Sequence, residues 1–284
     1  MRLLMTCIPL LAALIAASLV HAGEPAGETT TADAKPTVPV VVVLAGGQQA
    51  EGTLLRGSKD GALTLKGAFG EQTFTRAKWV QVTARRRPSE LASADQLLQG
   101  KRYDAAAKKY QEAYDTYEHL YIFGAEALDG KGQALITLKK YKQALAVYEQ
   151  LFREYSGADL TYARRYRYAV CLGEVGGKQN DEKALAELER VIAATDDVLT
   201  VLALYEHGQI HYGNKMYYPA LKSFMQVFIL YRGYTGDGAR TVQGLVEGAR
   251  NNAITCCKEL ISKSSSASIK KRAEKIQAAL ERTR

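Results

Sequence analysis

The stretch Lys139–Phe152, KKYKQALAVYEQLF, places its apolar residues at Tyr141, Ala144, Leu145, Tyr148, Leu151 and Phe152. That is the i, i+3, i+4, i+7 spacing of a helix with one buried face. Whether this helix stands alone or belongs to a series decides the fold. Three other segments answer the question. GKRYDAAAKKYQEAY sets Tyr103, Ala106, Ala107, Tyr110, Ala113 and Tyr114 at the same intervals, and MYYPALKSFMQVFILY repeats them with Tyr217, Ala220, Leu221, Phe224, Val227 and Phe228. DEKALAELERVI is a fourth copy through Ala184, Leu185, Leu188, Val191 and Ile192, with Asp181 standing where the others carry tyrosine.

Each copy is preceded by another helical stretch with a small residue at a set distance. Ala94 to Ala106, Gly132 to Ala144 and Gly208 to Ala220 are each 12 apart, whereas Ala169 to Ala184 is 15. The three extra residues fit the loop Gly176-Gly177-Lys178-Gln179-Asn180. A small residue facing a large one lets two helices of a hairpin approach closely. Successive alanines of the second helices lie 38, 40 and 36 residues apart. The set resembles tetratricopeptide repeats (TPR), through Gly132 with Tyr141, Ala144 and Tyr148, and Gly208 with Tyr217, Ala220 and Phe224. It covers roughly Ser89 to Tyr234. Leu128 and Leu204 replace the aromatic expected early in the first helix of a unit, and no unit ends on the usual proline. Beyond it, Gly238–Ile261 and Ser266–Arg282 read as two more helices, the last polar enough to cap a stack.

Upstream of Pro88 the period changes. VPVVVVLAGG, QQAEGTLLRGS, ALTLKG, EQTFTRA and WVQVTARR are short β-rich runs separated by Gly46-Gly47, Lys59-Asp60-Gly61 and Phe69-Gly70. Five short strands in about 50 residues suit a small bent barrel, with Gly52 a bend point. The pattern resembles SH3-like or Sm-like barrels. All 17 tyrosines fall between Tyr103 and Tyr234, so a composition boundary lies near residue 88. The expected fold is therefore mainly α, a TPR-type helix-hairpin solenoid over 88–284 of about four hairpins plus capping helices, preceded by a small all-β barrel-like domain over 38–87.

The chain begins with Arg2, an apolar run from Leu10 to Val20 and Val20-His21-Ala22, which together read as a signal peptide over 1–22. The run is shorter than the roughly 20 residues of a spanning helix, so no membrane span remains after cleavage. Residues 23–37, rich in Gly, Ala, Thr and Pro, read as a disordered linker. Export to the periplasm or cell envelope, or secretion, is the expected localisation. The cysteines left, Cys171, Cys256 and Cys257, read as buried free thiols, although export permits pairing and the adjacent pair is suited to joining two chains.

The formal net charge is +8. Residues 38–87 hold eight Lys or Arg against three Asp or Glu, ending in Arg85-Arg86-Arg87. A basic small barrel raises nucleic acid as a partner, but the export signal and the lack of clustered aromatics for base stacking argue against it. The arginine run reads instead as a solvated linker. His207 and His211 lie four apart and suit a shared metal, with Glu206 beside them. They also fall at packing positions, and a structural zinc needs four ligands, so no metal is expected. Without a phosphate loop, zinc-protease motif or serine elbow, no catalytic residue and no cofactor is assigned, and the chain reads as no enzyme.

The TPR resemblance implies a concave surface lined by the first helix of each unit. Matching places give a partner-binding groove of Asp129 and Gln133, then Tyr166, then Tyr205, Gln209 and Tyr212. The implied partner is another protein or a peptide, held on a non-enzymatic scaffold. The paired Lys and Asn with which some grooves of this family hold a terminal carboxylate are missing from these places. The tyrosines suit packing between repeats equally well. A self-assembling structural component of the envelope is the alternative reading.

Overall fold

The computed structural model describes residues 35–58, 60–155 and 161–283. The expected signal peptide, and the linker up to residue 34, lie outside them. The described chain falls into two compact units, 35–155 and 161–283.

In the first unit five strands form one antiparallel sheet: β1 (Val38–Leu44), β2 (Gln49–Gly57), β3 (Leu63–Gly67), β4 (Gly70–Phe74) and β5 (Trp79–Ala84). The order is β4-β3-β2-β1-β5, so the last strand returns beside the first instead of extending a meander. A 3-10 turn over Arg76–Lys78 makes that return. Val38, Val40 and Val42 alternate into the core from β1, which is paired on both sides, and Leu54, Leu63 and Leu65 join them. Gly52 is needed for close approach: a Cβ there would lie 2.7 Å from the Lys66 carbonyl oxygen of β3. Register shifts at Leu54/Arg56 and Val43/Leu44 add curvature.

Four helices follow: α1 (Ser89–Gln99), α2 (Tyr103–Tyr117), α3 (Tyr121–Thr137) and α4 (Tyr141–Glu154). The sheet is seated on the start of α3. The Gly57 N–H donates to the His119 carbonyl at 2.9 Å, and a Cβ at Gly57 would collide with Tyr121. Trp79 meets the Tyr121 ring edge-on, with centroids 6.4 Å apart. The arginine run is more than a solvated linker. Arg85 pairs with Glu51, and Arg87 bridges Asp95 of α1 (2.5 Å) and Glu126 of α3 (3.2 Å), tying the sheet's exit to both hairpins.

The second unit holds α5 (Tyr162–Val175), α6 (Lys178–Ala194), α7 (Val198–Gly213), α8 (Tyr217–Tyr231), α9 (Ala239–Lys263) and α10 (Ala267–Arg282). The segment KKYKQALAVYEQLF is α4, with Ala144, Tyr148 and Leu151 fully buried.

The small residues of the repeat do what the spacing requires. A Cβ at Gly132 would lie 2.7 Å from the Tyr148 ring, and one at Gly208 the same distance from the Phe224 ring, so each aromatic occupies the space that a side chain at the glycine of the preceding helix would need. Burying such a ring contributes roughly 2–3 kcal/mol. The turns of these hairpins also repeat. Lys101, Lys139 and Lys215 have φ of 59°, 58° and 60°, the left-handed conformation that ends a helix. In each, the next residue's N–H reaches back to a carbonyl five residues earlier: Arg102 to Leu97, Lys140 to Leu135, Met216 to His211. The α5–α6 turn is shorter, two residues against three: Gly176 and Gly177, both at positive φ, join the helices directly. The three extra residues of the sequence spacing, Lys178, Gln179 and Asn180, form the first turn of α6 rather than a loop.

Candidate binding surface

The six groove residues divide between the units. In the first, Asp129 and Gln133 lie one turn apart on α3. Asp129 accepts a hydrogen bond from the Tyr148 hydroxyl at 3.1 Å, and Gln133 is half-buried.

In the second unit, Tyr166 of α5 is only 6% exposed, and burial raises its hydroxyl pKa well above the ordinary value. Tyr205, Gln209 and Tyr212 follow one another at i, i+4 and i+7 on α7 and so share one stripe. Gln209 is exposed between two half-buried tyrosines. The Tyr205 ring packs edge-on against Phe224, centroids 5.6 Å apart, and its hydroxyl accepts from the Asn252 side chain of α9 at 3.1 Å. Tyr212 packs edge-on against Tyr217. Each tyrosine therefore packs through its ring, while the Tyr205 oxygen stands beside an amide at the α7–α9 surface. The sequence pattern did not signal Asn252, because α9 lies outside the repeat that carries the alignment.

His207 belongs to the α7–α8 seam. Its Nδ1 is 2.9 Å from the Ser223 hydroxyl, and its ring meets that of His211 at a centroid distance of 4.5 Å. Burial, reinforced by His211, depresses the His207 pKa to about 4. Next to it, burial and the charge of Glu174 push the Glu206 carboxyl up to about 7. Among the described residues no three His, Cys, Asp or Glu are grouped to hold a metal. Cys171, Cys256 and Cys257 are free and fully buried, and burial raises the Cys171 and Cys256 thiols to about 12 and the Cys257 thiol to about 11. At those values they stay protonated and unreactive at neutral pH.

Two open clefts complete the surface. One, of about 580 Å³, lies at one end of the sheet between Leu44, Gln48, Phe74 and Lys78. The other, of about 360 Å³, lies between α8, α9 and α10. No described helix is long and apolar enough to cross a membrane.

The hairpins, with their glycine–aromatic seams and repeated turns, make this a TPR-like helical-repeat protein. No protein-family model matches the chain, and no curated protein does. Among solved structures it is similar to YrrB, a TPR protein with an unusual peptide-binding site, at 18% identity over 66% of this chain and 85% of that one, with a TM-score of 0.44. It is also similar to the MamA RS-1 ArsTM double mutant, at 16% identity over 69% and 97% of the two chains, with a TM-score of 0.46. Likenesses at this level say nothing of what this chain binds.

Proposed function

We propose that the chain is an exported, non-enzymatic scaffold of the periplasm or cell envelope that binds another protein or a peptide through the first helices of its hairpins. The observation that carries this reading is the α7 stripe. Gln209 is exposed between Tyr205 and Tyr212, and the Tyr205 hydroxyl is paired with Asn252. Two amides and a phenolic oxygen on one face supply donors and acceptors for a peptide backbone, and the tyrosine rings supply rigid apolar area. Asp129 and Gln133 on α3 hold the corresponding places in the first unit. The sheet, whose fifth strand returns beside its first around a bent second strand, suits an SH3-like or Sm-like barrel serving as a docking or packing module.

The test places a photo-crosslinking residue at Gln209 in the full-length chain, with Lys183 on the exposed side of α6 as control. A defined foreign protein captured at Gln209 and absent at Lys183 supports the scaffold. Self-crosslinks alone at Gln209 support the self-assembling component instead, and equal capture at both positions refutes the stripe as a site.

A further inference from the structure

The cleft between α8, α9 and α10 belongs to a different face from the α7 stripe. Its floor is apolar and closed: Leu221, Leu260 and Ala273 are 4%, 9% and 2% exposed. Its two walls are not closed. On α8, Tyr218 lines the cleft and is 46% exposed, and half-buried Met225 and Ile229, the latter 55% exposed, continue its stripe at i+7 and i+11 beyond the cleft's lining. On α10, Ile269 is 36% exposed and lies seven residues before Ile276 on the same side. The α8 stripe spans eleven residues, about 16 Å at 1.5 Å per residue, which is the length of about three turns of a partner helix.

Charge decides what fits there. Residues 217–282 carry eleven Lys or Arg and five Asp or Glu, which is +6 of the chain's +8. The groove itself is more one-sided than this count. Arg272 lines it, exposed Lys222 stands one turn from Tyr218 on the same wall, and α8 contains no acidic residue. Glu274 and Glu281 of α10 fall on the side of the helix away from Ile269 and Ile276. On α9, Glu259 beside Leu260 is paired with Lys263 at 2.5 Å. The residues lining the trough are apolar or neutral but for Arg272, with no carboxylate among them, which is complementary to a helix with an apolar stripe flanked by Asp or Glu. A second copy of the chain would set Lys222 and Arg272 against the same cations. A flat anionic membrane surface could meet Tyr218 and Ile229 but could not reach the buried floor.

We infer that the α8–α10 groove is a docking site for an acidic amphipathic helix of a partner protein. Tyr218, Ile229 and Ile269 grip its apolar face, and Lys222 and Arg272 meet its flanking carboxylates. This site stands apart from the α7 stripe, so either can fail alone.

The probe is a designed helical peptide of about 18 residues with a leucine stripe flanked by glutamates, compared with a twin carrying lysine in their place. Binding to the full-length chain is read by fluorescence anisotropy. The acidic peptide is expected to bind at least about tenfold tighter than its twin and to weaken as salt rises from about 50 to about 300 mM. Arg272→Glu and Ile269→Ser, both on exposed positions, are each expected to weaken it about tenfold with the circular dichroism melt unchanged, while Gln209→Ala leaves it unaltered. Equal binding of the two peptides, or none, overturns the proposal. So does binding of phosphatidylglycerol vesicles in place of the peptide, or a concentration-dependent dimer that Ile269→Ser dissolves.

Discussion

The α3–α4 and α7–α8 hairpins sit in different units, yet they are built alike, while α5–α6 departs from both. In the first two, an aromatic ring lies on a glycine and the turn closes through a lysine in the left-handed conformation. In α5–α6, Ala169 and Leu188 occupy the equivalent places, both fully buried, and two glycines make a turn one residue shorter. A repeat can thus change its seam and its turn together and still present a hairpin. The constraint is the volume around the seam: a glycine lies opposite the ring in two hairpins and a methyl opposite a branched aliphatic chain in α5–α6. In α1–α2, where Ala94 holds the small-residue place, the Tyr110 ring lies against Gly130 of α3 instead. Even the tyrosine three residues before each alanine has an alternative: in α6 buried Asp181, one turn into the helix, replaces it and accepts from the Asn214 side chain at 3.0 Å.

The largest test of this comparison removes the rings. Tyr148→Ala and Phe224→Ala should each cost roughly 3–5 kcal/mol, and Leu188→Ala about 2–4 kcal/mol. Because the two aromatics belong to separate units, the loss should appear in hydrogen exchange as lowered protection of α3–α4 for one and α7–α8 for the other. Gly208→Ala, whose Cβ would lie 2.7 Å from the Phe224 ring, should be partly rescued by Phe224→Leu, since that pair copies the α5–α6 solution. Without such rescue, the seam-volume account of the repeat is wrong.

A smaller effect comes from the burial of two titratable groups on α7. His207, depressed to about 4, takes a proton less readily folded than unfolded, where its ordinary value is 6.5. It therefore stabilises the unit above pH 6.5, and that stability is lost as pH falls toward 4. Glu206, raised to about 7 from 4.5 with Glu174 contributing, has the opposite sign: the unit loses stability as pH rises from 4.5 to 7. The two oppose one another between pH 4.5 and 6.5, each on the order of 1–2 kcal/mol. Glu206→Gln should expose a steep fall in urea stability on acidification, and His207→Gln a fall as pH rises. Parallel profiles for both variants would sink this account.

The smallest effect concerns the turns. Lys139→Gly and Lys215→Gly should each stabilise their hairpin by about 0.5 kcal/mol, because glycine adopts the left-handed conformation without a Cβ clash and its greater unfolded entropy offsets only part of the gain. Urea midpoints would measure it, and a loss of stability would show that the lysine side chains contribute more than their backbone strain costs.

Much of this was readable in advance. The small residues 12 apart from the alanines located the hairpins, and Gly132 and Gly208 lie under the rings that follow Ala144 and Ala220 by four residues. The 15-residue interval marked the one hairpin that differs, although Lys178–Asn180, which read as loop, are the first turn of α6. Five strands were legible from alternation and glycine punctuation. The return of β5 to β1 was not, because strand partners depend on backbone hydrogen bonds between segments 40 residues apart. Arg87 read as solvated because its two carboxylate partners, Asp95 and Glu126, belong to other elements, α1 and α3, and meet it only once those helices are placed.

The sequence by itself determined which residues form helices, where each hairpin turns and which small residues face large ones, since these are properties of neighbours within one or two helical turns. Tertiary structure alone decided that Tyr166 is buried and Gln209 exposed, that Tyr205 meets Asn252, and that α8 and α10 leave a basic-rimmed groove above Leu221 and Leu260. Those outcomes depend on which faces different helices present to one another, and a helical period records that a face is apolar without recording what covers it.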